Sequence, residues 1–190
     1  INNEKKLFLF IKSPEERLFS VYKEKILFNK TIFNFSIIKG NKFKFFKKNK
    51  KCLYRFNNND SFYSFCNGII KLNEYFNEIE IEKNIFDKHI ISQFDHIVNL
   101  KKNYPNINEF KIVIYPICKM NDILGNLHDK KTKLNFNTTQ KTNNDYKKDI
   151  KKTNIINIFY RKDKILYEQL LSSDNGFIEL SYESILKKII

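Results

Sequence analysis

Residues 10–22 read FIKSPEERLFSVY, and the fold that we expect for the chain follows from the pattern of this stretch. An apolar run ends at Lys12, and Ser13 follows where a helix N-cap belongs. Pro14 suits the first position of a helix, and Glu16 completes a Ser-x-x-Glu capping box. The stretch therefore predicts a strand, a tight turn and a helix.

The start of this predicted helix is suited to bind an anion. A helix N-terminus attracts phosphate because its unpaired N–H groups and its dipole both point toward the ligand. Lys12 adds a positive charge at the end of the strand, and Ser20 adds a hydroxyl in the second turn of the helix. The alternative interpretation is an ordinary capped helix that follows a strand and binds nothing.

The stretch resembles the 3′-phosphate-binding segment of sulfotransferases, whose pattern is roughly Arg-Asp-Pro-x-x-Arg-(apolar)-x-Ser-x-Tyr. These enzymes transfer a sulfuryl group from 3′-phosphoadenosine 5′-phosphosulfate (PAPS) to an alcohol or an amine. The resemblance implies that Lys12 and Ser20 hold the 3′-phosphate and that Arg17 also contacts the donor. Lys12 replaces the family's leading arginine and Ser13 replaces its aspartate, so a point charge takes the place of a bidentate contact.

Three later stretches resemble the carbohydrate sulfotransferases and occur in the order of that family. Residues 87–93 read DKHIISQ and are similar to its Asp-x-His-x-x-Pro-Gln stretch, without the proline. Residues 137–146 read NTTQKTNNDY and resemble a loop near the donor nucleotide, where Lys141 would help to hold phosphate. Residues 160–167 read YRKDKILY and resemble the closing Tyr-x-x-Asp helix of the family.

His89 is the candidate catalytic residue that the resemblance implies. Sulfuryl transfer to a hydroxyl needs a base, and histidine titrates near neutral pH. We therefore expect His89 to remove the acceptor proton or to contact the acceptor. A histidine that only fixes a loop through hydrogen bonds is the alternative.

The fold implied by the resemblance is α/β, a three-layer P-loop-like sulfotransferase fold with a parallel sheet. The family's first strand and its 5′-phosphosulfate loop would precede Lys12, and no glycine occurs before Gly40, so we expect both to be missing from this chain. The predicted organisation is a sulfotransferase-like domain at 1–171, with a basic insertion at 39–55 and a mobile loop at 129–154, followed by a C-terminal tail at 172–190.

Hydrophobic spacing predicts further elements. A helix beginning near Ser61 carries a core stripe of Phe62, Phe65, Ile69, Leu72 and Phe76. A buried strand is predicted at 7–11, the best strand at 110–115, and helices at about 14–27, 120–127 and 154–171.

Composition constrains the partners. The 190 residues include 35 Lys and Arg against 21 Asp and Glu, a net charge of +14 that suggests an anionic partner. Abundant Lys, Asn, Ile and Phe point to A/T-rich codons, so part of this charge is a genomic signature. The three cysteines form no C-x-x-C pair, so we expect no metal site, and the absence of a long apolar run predicts no transmembrane segment.

The function implied by the resemblance is transfer of a sulfuryl group from PAPS to a hydroxyl of a saccharide or glycolipid, without nucleic acid as a partner. Two alternatives are left open. The first is a degenerate, non-catalytic sulfotransferase-like domain. The second is a nucleic-acid or polyanion-binding module built on residues 39–55, where eight basic residues and no acidic residue are interleaved with phenylalanines.

Overall fold

The computed structural model describes residues 4–27, 61–78, 89–127 and 145–189. Within these ranges the protein is α/β, with a small mixed sheet and mostly helices. The elements are β1 (Lys5–Ile11), α1 (Pro14–Tyr22, continued by a π-helical turn at Lys23–Leu27), α2 (Phe62–Glu78), α3 (Gln93–Val98), α4 (Leu100–Asn103), β2 (Phe110–Pro116), α5 (Met120–Leu127), α6 (Asp145–Thr153), α7 (Ile155–Phe159), α8 (Arg161–Leu171), β3 (Ile178–Ser181) and α9 (Tyr182–Ile189). None of these helices is long and apolar enough to cross a membrane.

The described sheet has the strand order β1-β2-β3. β1 runs parallel to β2, with Leu9 opposite Ile114, whereas β3 runs antiparallel to β2, with Leu180 opposite Ile112. The prediction of a parallel sheet is therefore confirmed for one pair of strands only. β3 lies in the segment that was predicted to be a tail. The prediction missed this strand because four residues give too little alternation of polar and apolar side chains to be recognised locally.

The two parallel strands differ in burial. Ile112, Val113 and Ile114 are buried in the central strand β2. β1 lies at an edge of the described sheet, and only Ile11 is buried in it, while the Phe8 side chain is 37% exposed. The prediction of a buried first strand was therefore wrong for most of β1. Leu7, Leu9 and Ile11 face the core, whereas Phe8 and Phe10 lie on the other face and stack on Tyr115.

The chain divides into two compact units, and the first contains the sheet. It comprises Ile1–Pro14, Gln93–Lys141 and Arg161–Ile190. Its core joins the sheet to the helices α3, α8 and α9, and the buried members are Ile11, Phe94, Ile97, Ile107, Ile112, Ile114, Leu166, Leu170, Tyr182 and Ile185. The segment predicted as a tail thus contributes Tyr182 and Ile185 to this core.

The second unit comprises Glu15–Ser92 and Thr142–Tyr160 and is helical where it is described. The predicted stripe on α2 is confirmed at Phe62, Phe65 and Ile69, which are all buried. The side chains of Leu72 and Phe76 lie outside the description. The predicted start of α2 is also confirmed, since the Ser64 N–H donates to Ser61 Oγ at 3.1 Å.

The segment predicted as a mobile loop at 129–154 contains helix α6 in its described part. This prediction was wrong there because two aromatic and aliphatic contacts hold the helix: Tyr146 stacks on Phe19, with ring centroids 4.3 Å apart, and Ile150 is buried in the core. The single helix predicted at 154–171 is interrupted. It divides into α7 and α8 at Tyr160, while Asn154, which separates α6 from α7, adopts a left-handed conformation with φ of 53°. The basic insertion at 39–55 lies outside the described residues.

Candidate functional site

Lys12 follows the last residue of β1, and its main chain is held by the side chain of Gln93. The Lys12 N–H donates to Gln93 Oε1 at 2.9 Å, and Gln93 Nε2 donates to the Lys12 carbonyl oxygen at 2.8 Å. One carboxamide therefore satisfies both main-chain groups of Lys12, as a neighbouring strand would do. This pairing constrains the backbone dihedrals of Lys12 and therefore the direction in which its side chain leaves the main chain.

Gln93 is itself fixed by Asp163. The N–H groups of Gln93 and Phe94, the first residues of α3, donate to Asp163 Oδ2 and Oδ1 at 2.8 and 2.7 Å. The Asp163 side chain is on α8 and only 1% exposed. A carboxylate placed there satisfies free N–H groups and complements the positive end of α3. We call these four hydrogen bonds among Asp163, Gln93, Phe94 and Lys12 the Gln93 network.

The Gln93 network joins residues from three stretches that resemble the sulfotransferases. Lys12 belongs to the predicted phosphate segment, Gln93 closes the stretch at 87–93, and Asp163 lies in the stretch at 160–167. Sequence reasoning gave no role to Gln93 or Asp163. The signal that could have identified them is their position in the two later patterns, at 87–93 and 160–167.

Ser20 and Arg17 are half-buried on α1, in the second unit, whereas Lys12 belongs to the first unit. Ser20 Oγ donates to the carbonyl oxygen of Glu16 at 2.8 Å. A hydroxyl has one proton, so Ser20 must release this hydrogen bond before it can donate to a phosphate oxygen.

α1 also carries an aromatic contact with a predicted donor loop. Tyr146, which belongs to the stretch at 137–146, stacks on Phe19. Burial, and then the carboxylates of Glu16 and Glu15, raise the pKa of the Tyr146 phenol. The Lys23 side chain is 2% exposed, and its Nζ lies 5.8 Å from the centroid of the Phe19 ring.

His89 lies in a turn of the second unit and is half-buried. The next residue, Ile90, is fully buried, and its carbonyl oxygen accepts a hydrogen bond from the Tyr160 hydroxyl at 2.7 Å. This bond anchors the main chain beside His89. Asp87, the acidic residue of the same pattern, and Lys141 lie outside the described residues.

The two described cysteines differ in burial. Cys66 is a buried free thiol, and burial, followed by the charge of Asp149, raises its pKa. Cys118 is free and exposed. In the part of the chain that the structure describes, no group of three or more His, Cys, Asp or Glu side chains is arranged to hold a metal ion.

Comparison of the chain with protein family models, with curated proteins and with solved structures finds no match.

Proposed function

We propose that the protein is a PAPS-dependent sulfotransferase that transfers a sulfuryl group to a hydroxyl of a saccharide or glycolipid. We further propose that the parallel pair β1 and β2 is part of a three-layer sulfotransferase-like arrangement. The observation that carries the proposal is the Gln93 network. It joins residues of three family-like stretches around the main chain of Lys12, the residue that the resemblance assigns to the donor phosphate.

The proposed mechanism is an in-line transfer. His89 accepts the proton of the acceptor hydroxyl, and the oxygen attacks sulfur while the bond from sulfur to the bridging oxygen of PAPS breaks. Adenosine 3′,5′-bisphosphate leaves with the electron pair of that bond. Lys12, Arg17 and Lys141 offset the negative charge of the nucleotide, and Ser20 adds a hydrogen bond to its 3′-phosphate.

The double substitution Lys12→Ala with Ser20→Ala tests donor binding. Each lost charge-assisted hydrogen bond is expected to cost about 1.5–3 kcal/mol, so the pair weakens the binding of adenosine 3′,5′-bisphosphate by about 100-fold or more. Titration calorimetry on the full chain measures this affinity. The matched control is Lys101→Ala with Ser172→Ala, which removes an exposed lysine and a serine that also donates to a helix carbonyl, at 3.0 Å.

Unchanged affinity in the test variant, or no binding by the wild type, would reject the proposed donor site. Binding of polyanions that falls steeply with salt and survives both substitutions would instead favour a polyanion-binding module.

The substitution His89→Ala tests the base. Loss of a general base is expected to slow sulfuryl transfer by about 10²–10⁴-fold, while the affinity for adenosine 3′,5′-bisphosphate stays close to that of the wild type. A radiolabelled sulfate transfer assay measures the rate, and His96→Ala, which removes an exposed histidine on α3, is the control. Transfer at the wild-type rate in His89→Ala excludes the base role. Donor binding without transfer by the wild type supports the non-catalytic alternative.

A further inference from the structure

We propose that Gln93 is a positioning residue that sets the direction in which the Lys12 side chain meets the donor phosphate. This inference rests on the proposed function, because it names the group that prepares Lys12 for its ligand. Gln93 acts through the main chain of Lys12, with its Oε1 and Nε2 at 2.9 and 2.8 Å from the Lys12 nitrogen and carbonyl oxygen.

The sheet ends before it reaches Lys12. In the register of the parallel pair, the last residue of β1, Ile11, lies opposite Pro116, the last residue of β2. Proline has no N–H to donate, and the chain after it turns into a 3₁₀ helix at Ile117–Lys119. The Gln93 carboxamide, and not a strand partner, therefore satisfies the main-chain groups of Lys12. It holds the backbone of the first residue after β1.

The main chain of Gln93, from which the carboxamide projects, is also held in place. Asp163 holds the main chain at the start of α3, and the next residue, Phe94, is 2% exposed in the core of the first unit. The carboxamide has to present its oxygen to the Lys12 N–H and its amino group to the Lys12 carbonyl. Glutamate at this position keeps the acceptor but places a second oxygen against that carbonyl, whereas alanine removes both partners.

The order of Lys12 matters because a lysine is a point charge on a flexible stem. With its backbone released, the side chain leaves the strand in many directions, and binding has to remove this freedom. We therefore expect Gln93→Ala to weaken the binding of adenosine 3′,5′-bisphosphate by about tenfold, and Gln93→Glu to weaken it as well, without a change in any group that contacts the ligand.

A double-mutant cycle separates positioning from a general structural effect. Calorimetry compares the wild type, Gln93→Ala, Lys12→Ala and the double variant. If Gln93 acts through Lys12, the tenfold loss on Gln93→Ala is expected to vanish when Lys12→Ala is already present. The matched control is Gln169→Ala, since Gln169 is also a half-buried glutamine of the first unit. Equal losses in both backgrounds, or an equal loss in the control, would overturn the inference.

Hydrogen exchange at the Lys12 amide, followed by NMR without ligand, tests the same contact independently. Gln93→Ala is expected to speed this exchange by about tenfold or more, since the amide loses its acceptor. Unchanged exchange would overturn the positioning inference alone. If the wild type does not bind adenosine 3′,5′-bisphosphate, the proposed function is wrong and Lys12 does not bind this phosphate. The exchange result would still decide whether Gln93 orders the main chain of Lys12.

Discussion

Replacing Asp163 with alanine is expected to lower the free energy of unfolding by about 2–4 kcal/mol, because two N–H groups at the start of α3 lose their acceptor. One of these groups belongs to Phe94, which is buried, so water does not readily replace the carboxylate. Urea unfolding followed by circular dichroism measures the change. Asp163→Asn, which keeps one acceptor oxygen, is expected to lose about half as much.

Glu168→Ala is the matched control, since it removes a carboxylate from the same helix, α8. Glu168 is exposed and its only ion pair among the described contacts is with Lys164 at 3.8 Å, so we expect a change of no more than about 0.5 kcal/mol. If Asp163→Ala is as stable as this control, α3 does not depend on the Asp163 cap.

Replacing Phe65 with alanine is expected to lower the free energy of unfolding by about 3–5 kcal/mol. The side chain is fully buried in the second unit, and its ring lies 5.6 Å from that of Tyr22 and 6.2 Å from that of Phe62. Truncation therefore removes apolar burial and leaves a cavity that the aromatic neighbours fill only partly. Thermal and urea unfolding measure the loss.

Tyr63→Ala is the control on the same helix. Tyr63 lies one residue before Ser64 in α2 and is 41% exposed, so its truncation is expected to change stability by less than about 1 kcal/mol. A Phe65→Ala variant no less stable than Tyr63→Ala would show that the stripe on α2 is not part of a tightly packed core.

Local sequence signals predicted several elements well. α1 starts at Pro14, as the capping pattern indicates, and α2 starts after Ser61, whose hydroxyl oxygen accepts the N–H of Ser64. The stretch predicted as the best strand, 110–115, with Ile112, Val113 and Ile114 at its centre, lies in the strand β2. These signals act between residues that are neighbours or one helical turn apart, so they can be recognised in the sequence alone.

Other elements depend on distant partners and were missed. α6 has a strongly polar sequence, and its position depends on the stacking of Tyr146 on Phe19 and on the burial of Ile150. β3 is a strand because it pairs with β2, although its four residues carry little signal of their own. Tertiary contacts override weak local preference in both cases.

The sequence alone predicts the strand, turn and helix around Lys12 and the core stripe of α2. It also predicts the candidate residues Ser20 and His89. Only the tertiary structure pairs Lys12 with Gln93, which lies 81 residues along the chain, and Gln93 with Asp163, a further 70 residues away. The physical reason is range. Caps and hydrophobic periodicity act within one or two turns, whereas a side chain that completes the hydrogen bonds of a strand end is positioned by the packing of the whole unit.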